Sequence, residues 1–307
     1  RTETLGNLSI HVGFEWDGQV LNQVFELPVS IQSLNAFDAE NPWMLSAYIN
    51  PSQPDIVDFV RQVLSNYPEA TENWEQAAII FDALALYGMR YQRDPTSRWT
   101  SGSRRGLDTV FLPVETLSYR QGDCDDLSVL YATALESVGI PTRLVFAPQH
   151  VWVAFAPYDV ELSTEELRKA LHMQWDDNFS DYSFSPLQIP ISELYGRFDD
   201  GYLWIPVETT FLAAPEYSFL GIHGIGWVQN NFTAAVEAGR TQMRVPDSEL
   251  ESYRTADTQR NLGVRPANLT PQVTSISTLP NLPELTALYQ TERWPVVLQI
   301  LQSHSWL

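Results

Sequence analysis

The sequence predicts an α+β fold, and three patterns predict it. Apolar residues recur at helical spacing over Ile56, Phe59, Val60, Val63, Leu64 and Tyr67, and again over Leu127, Leu130, Tyr131, Ala134, Leu135 and Val138. Short β-like runs follow at 143–147, 150–155 and 202–209. At the front, Asp17-Gly18 sits between alternating apolar positions, a hairpin signal.

Taken in order, residues 1–50 read as a β-hairpin over 7–32 and an irregular connector with Pro42. One hairpin is too small to be stable alone, so it needs cover from the body or from segments beyond this chain. Residues 51–243 read as the main body. Its first helix begins at Pro54 and is stopped by Pro68, and a second starts near a Thr71 cap and runs through Trp74, Phe81 and Leu84. Residues 92–120 read as a long loop, a length that tends to be functional or disordered.

The next helix opens with the only cysteine of the chain, Cys124, at N1. Asp123 serves as N-cap, with Asp125 and Asp126 in the first turn, and Gly139-Ile140-Pro141 ends the helix. The helix dipole there favours thiolate over thiol. The three aspartates oppose it only if they point at the sulfur; as cap and first-turn groups they are expected to point outward. Residues 157–200 are polar and acidic and read as an insertion, and 227–243 as a helix. Residues 244–282, rich in Ser, Thr, Asn and Pro, read as a linker, and 283–307 as a helical pair loosely like one tetratricopeptide repeat.

The formal net charge is −20, and Lys169 is the only lysine among 18 basic residues. No basic patch is available to release counterions, which argues against nucleic acid and anionic membranes. No run approaches 18 consecutive apolar residues, so no membrane insertion is expected. One cysteine allows no internal disulfide and no Cys-rich zinc site. The histidines outside position 150 show no metal-ligand spacing, so neither a metal nor another cofactor is expected. The chain begins at Arg1 without a visible secretory signal, as a mature form or an excised piece would.

Three segments carry chemistry together: a helix opening with Cys124, a strand opening with His150 and a strand ending with Glu208. A thiol nucleophile needs a base to take its proton, and the base needs an orienting partner. His150, Trp152 and Ala154 share one strand face; Tyr202, Trp204, Pro206 and Glu208 share another. If these strands are neighbours and the Cys124 helix packs on that face, the three groups converge. The bland alternatives are a buried structural cysteine, a core histidine and a strand-end surface acid.

Gly122-Asp123-Cys124-Asp125-Asp126, Gly139-Ile140-Pro141-Thr142-Arg143, His150-Val151-Trp152-Val153 and Trp204-Ile205-Pro206-Val207-Glu208-Thr209-Thr210, led in by Phe111-Leu112-Pro113-Val114-Glu115-Thr116-Leu117, resemble the bacterial transglutaminase-like branch of the papain-type cysteine proteases. The resemblance covers roughly 54–243. It implies a nucleophile helix packed on an antiparallel sheet, with Cys124 as nucleophile, His150 as base and Glu208 as the acid that orients the imidazole. It also implies an oxyanion held by the Cys124 N–H and an upstream side chain, with Gln121, Tyr119 and Trp99 as candidates. The family's third residue is usually an aspartate soon after the histidine. Here it is a glutamate beyond an insertion, with Asp159 nearer in sequence but past the strand's end.

The leading expectation is therefore a thiol peptidase or amidase, or an acyltransferase, working on a protein or peptide substrate through a thioester. The other class is a non-catalytic interaction module of the same fold, docking a protein partner through its C-terminal helical tail. The bacterial resemblance favours an extracytoplasmic setting such as the periplasm and leaves the cytoplasm open.

Overall fold

Residues 4–31, 33–68, 70–93, 107–157, 183–184, 189–190, 202–212 and 231–262 are described by the computed structural model. The C-terminal helical pair, Trp99 and most of the insertion fall outside them. The mixed helix and sheet architecture expected from the sequence is present.

Thr4–Trp16 (β1) and Gln19–Ile31 (β2) form an antiparallel hairpin in continuous register from Trp16↔Gln19 to Thr4↔Ile31. Asp17 and Gly18 both take positive φ, 51° and 74°, as a type I′ turn requires. Leu8, Ile10, Val12, Phe14 and Trp16 share one face with Leu21, Phe25, Leu27 and Ile31, and each stays 41–73% exposed. The cover this ribbon needs is not found among the described residues.

Ala36–Asp38 (β3) leads into a 3-10 helix, Pro42–Tyr48. Helices Pro54–Leu64 (α1) and Asn73–Leu86 (α2) follow, and α1 buries the predicted stripe Ile56, Phe59, Val60 and Val63. The cap of α2 is Glu72 rather than Thr71: the Glu75 carboxylate reaches back to the backbone N–H of both residues at 3.0 and 3.3 Å, closing a capping box. Arg90–Tyr91 (β4) leaves that helix.

The described part of the expected loop 92–120 is not irregular. It holds Leu107–Thr109 (β5), paired with β3, and helix Pro113–Tyr119 (α3), too short to show an amphipathic period in sequence. Gln121–Gly122 (β6) then pairs in parallel with β4, and Cys124–Glu136 (α4) begins one residue later.

Strands Thr142–Ala147 (β7) and His150–Phe155 (β8) are joined by a turn in which Gln149 takes φ 65°. A two-residue pair, Ser183–Phe184 (β9) and Ile189–Pro190 (β10), falls in the insertion. Ile205–Val207 (β11), helix Asn231–Gln242 (α5), Glu251–Arg254 (β12) and helix Thr255–Leu262 (α6) complete the described chain.

The central sheet is antiparallel with strand order β11-β8-β7-β12. One face carries Leu144, Phe146, Val151, Val153, Phe155, Ile205 and Val207 against α1, α2 and α4, in the larger core. The other carries Val145, Trp152, Ala154 and Trp204, with Met243, in a smaller cluster. Alternation along each strand sends successive side chains to these two layers.

The expected linker over 244–282 does not hold for its described part. β12 is an edge strand of the central sheet, and α6 docks through Gln259, whose amide donates to Ser46 and Ile49 carbonyls at 2.8 and 2.7 Å. Polar composition hid this, because the edge strand is half covered and its pairing supplies the stability that apolar periodicity would otherwise signal. Among the described residues no helix is long and apolar enough to cross a membrane.

Candidate active site

Helix α4 is buried along its whole first three turns, Cys124 through Leu135, including its polar residues. Its start is fixed by close backbone approach. A Cβ at Gly122 would lie 2.5 Å from the Asp126 Cβ, so only glycine lets β6 pass that close to the first turn. Asp126 accepts from the Asp123 N–H at 3.3 Å and from the Phe111 N–H at 2.7 Å, tying the helix start to the segment before α3.

The sequence expectation for the three aspartates fails here. Asp123, Asp125 and Asp126 are 4%, 3% and 5% exposed and turn inward. Their work in capping and in stapling neighbouring segments requires burial, which N-cap statistics do not reveal. Burial holds the Asp125 carboxyl well above the usual range, reinforced by its hydrogen bond to Asp123 and by the charges of Asp123, Asp126 and Asp108.

The expectation of a dipole-lowered thiol fails with it. Burial pushes the Cys124 thiol well above its ordinary value; Asp125, Asp123 and, more weakly, Glu208 push the same way. The backbone N–H of Val151 hydrogen-bonds the sulfur and opposes them. Near neutral pH the resting group is a neutral thiol, because desolvation outweighs the partial charge of the helix N-terminus.

His150 and Glu208 are brought together: His150 Nε2 lies 2.5 Å from Glu208 Oε2. The other carboxylate oxygen accepts from both the N–H and the hydroxyl of Thr210, at 3.1 and 2.8 Å. The Glu208 N–H donates in turn to the Ala235 carbonyl of α5 at 2.9 Å. Helix α5 can sit that near because of Gly239, where a Cβ would meet the Pro206 carbonyl carbon at 2.8 Å. An Asp82 oxygen from α2 caps the same helix through the Phe232 N–H at 3.2 Å.

The strands bearing His150 and Glu208 are indeed neighbours, but α4 packs on the face opposite to His150. Its partners are Val151, Val153 and Phe155, whereas the His150 ring lies 5.7 Å from Trp152 in the other layer. His150 and Glu208 meet each other, and Cys124 reaches the sheet at an open edge instead. β11 ends at Val207, opposite Val153, so the next outward-facing amide of β8, at Val151, has no strand partner. A peptide N–H lies in the sheet plane. Its bond to Cys124 therefore sets the sulfur at the sheet edge, between the layer of α4 and the layer of His150.

Of the oxyanion candidates, Gln121 lies in β6, paired with Arg90, and is half-buried. Tyr119 is 53% exposed with its ring packed edge-on against Phe111. Trp99 lies outside the described residues. Sequence reasoning missed Tyr91, which pairs with Gly122 two residues before the nucleophile position. Burial, then the charges of Cys124 and Asp123, raise its phenol to about 12, so near neutral pH it stays protonated and able to donate a hydrogen bond. No spacing rule points to it, since a parallel two-residue ladder brings it there.

The one described side-chain group close enough to share a cation is Asp123, Asp125 and Asp126, with an oxygen from each within 4.8 Å of the others. Asp123 and Asp126 already serve in the capping bonds of α4, and no metal is assigned to the group.

Residues 58–162 match the family model of the transglutaminase-like superfamily. No curated protein matches the chain. Among solved structures, a candidate protease from Parabacteroides distasonis aligns at 15% identity and a TM-score of 0.28. That alignment covers 51% of this chain and 36% of the other, so the chain spans about a third of that structure. The matched residues 58–162 run from α1 through helix α4 to the strand of His150.

Proposed function

We propose that the chain is a thiol enzyme acting on amide bonds of a protein or peptide through a thioester acyl-enzyme. The observation that carries this reading is the His150–Glu208 contact, with Glu208 fixed by Thr210 and its charge felt at the buried Cys124. Glu208 on Nε2 leaves Nδ1 as the acceptor nitrogen of the neutral imidazole. Because the resting sulfur is a thiol, His150 takes its proton as the sulfur attacks the carbonyl carbon. The C–S bond forms while the carbonyl π-bond opens to an oxyanion, to which the Cys124 N–H and the Tyr91 hydroxyl donate. The imidazolium then protonates the leaving amine, and water, or an acceptor amine, releases the acyl group from sulfur.

The test is digestion of a denatured protein such as casein, read by mass spectrometry of new peptide ends. Activity is expected to vanish in Cys124→Ala and to fall about 100-fold or more in Glu208→Gln, which leaves the imidazole without its charged partner. Full activity in Cys124→Ala would overturn the proposal.

A second reading, a non-catalytic interaction module, is favoured by one observation: the carboxylate crowd that keeps the thiol neutral. Under it, His150→Ala leaves the alkylation of Cys124 unchanged. Under the first reading, that substitution slows it.

A further inference from the structure

The nucleophile helix must hold its register against two strands at once, and one pair of buried hydroxyls does this. Ser128 lies one turn after Cys124 on α4, fully buried. Its hydroxyl donates to the Val151 carbonyl at 3.3 Å and lies 2.7 Å from the hydroxyl of Thr209, also fully buried. A serine has one proton to give. With that proton on Val151, the Thr209 hydroxyl is the donor to Ser128, and the chain runs Thr209 to Ser128 to Val151.

The three partners are neighbours of the three site residues. Thr209 follows Glu208, Val151 follows His150, and Ser128 is the next residue up the same helix face from Cys124. Continuing the β8–β11 register two residues past Val207 brings Thr209 opposite Val151. That is the point where the strand ladder stops. The helix takes over the vacated edge, since the Val151 N–H bonds Cys124 and its carbonyl bonds Ser128. One strand residue is thus satisfied on both sides by residues i and i+4 of the helix.

We propose that Ser128 and Thr209 are positioning residues: their clasp sets the Cys124 sulfur against the His150–Glu208 pair. It rests on the reading of Cys124 and His150 as nucleophile and base. A dry, directional hydroxyl chain suits this task because leaving either hydroxyl unpaired is costly, which holds the helix in one register.

The experiment needs no substrate. Cys124, the only thiol, is alkylated with iodoacetamide across pH 6 to 10. The rate is measured in the wild type, Thr209→Val, Thr209→Ser and Ser128→Ala, each with and without His150→Ala. Circular dichroism and melting curves follow every variant. Thr209→Val keeps the side-chain shape, so it serves if Ser128→Ala fails to fold.

With His150 present, Thr209→Val is expected to slow alkylation roughly tenfold or more, the scale on which small misplacements act. Thr209→Ser is expected to restore it. In the His150→Ala background Thr209→Val is expected to change nothing. A merely structural role would change access to the sulfur equally in both backgrounds, and that result overturns the clasp alone. If His150→Ala has no effect on alkylation in the otherwise wild-type protein, the thiol–imidazole reading falls, and the clasp with it.

Discussion

Strand β1 and helix α4 are each thirteen residues long and have opposite fates. β1 carries Leu8, Ile10, Val12, Phe14 and Trp16 on one face and keeps all of them in solvent. α4 opens with aspartates and carries Ser128 and Thr133, yet its first twelve residues are buried. The contrast teaches that hydrophobicity alone does not decide what is inside. A long-range partner does. The helix has several: α1, α2, α3, β6, the 3-10 helix and the central sheet. The hairpin is satisfied internally by its own ladder and by nothing else described. Burying polar residues costs free energy unless they are bonded, and Asp126 and Ser128 are bonded to neighbouring segments.

The largest effect is expected where the helix start meets β6. Gly122→Ala puts a Cβ into the Asp126 side chain and should cost about 3 kcal/mol in urea unfolding, as overpacking does. A cost under ~0.5 kcal/mol, the range of an ordinary surface substitution, would mean that the close approach is not tight.

Asp125→Asn should act in the other direction. The folded carboxyl titrates above its unfolded value, so its contribution to stability is complete below about pH 4 and is lost as pH rises through the folded value. Asparagine still accepts from the Asp126 N–H and donates to Asp123, without a charge. Its melting temperature should therefore match the wild type near pH 4 and exceed it at pH 7, a gain on the order of 1 kcal/mol. An equal or lower melting temperature at pH 7 would show Asp125 to be ionised and paired.

The smallest effect belongs to the hairpin. Phe14→Ser, on a half-exposed face, should move the unfolding midpoint of the main transition by less than ~0.5 kcal/mol. A loss above ~1 kcal/mol would show that the face is covered in solution, because that is what emptying a packed site costs. The comparison with α4 would then collapse.

Local patterns were readable and long-range ones were not. The α1 stripe, the α4 stripe and the Asp17-Gly18 turn follow from spacing and from φ preferences of single residues. The pairing of β8 with β11 brings His150 and Glu208 together, because neighbouring antiparallel strands join sequence-distant ends. Which face α4 covers was not readable, since both faces of β8 are apolar and alternation cannot rank them. Nor was the inward turn of Asp123, Asp125 and Asp126, which depends on Phe111 and Gly122 arriving beside them. Tyr91 and β12 were hidden for the same reason: a two-residue parallel ladder and a polar edge strand leave no periodic trace.

Gly239 has a reach beyond its own helix. It lets α5 rest on the Pro206 backbone, and the Ala235 carbonyl then holds the Glu208 amide. The acid on the imidazole is therefore tethered to a helix that follows it in the chain by more than twenty residues. A nascent chain that has already folded its cysteine helix still lacks a fixed partner for His150. The His150–Glu208 contact thus depends on a segment that lies after both residues in the chain.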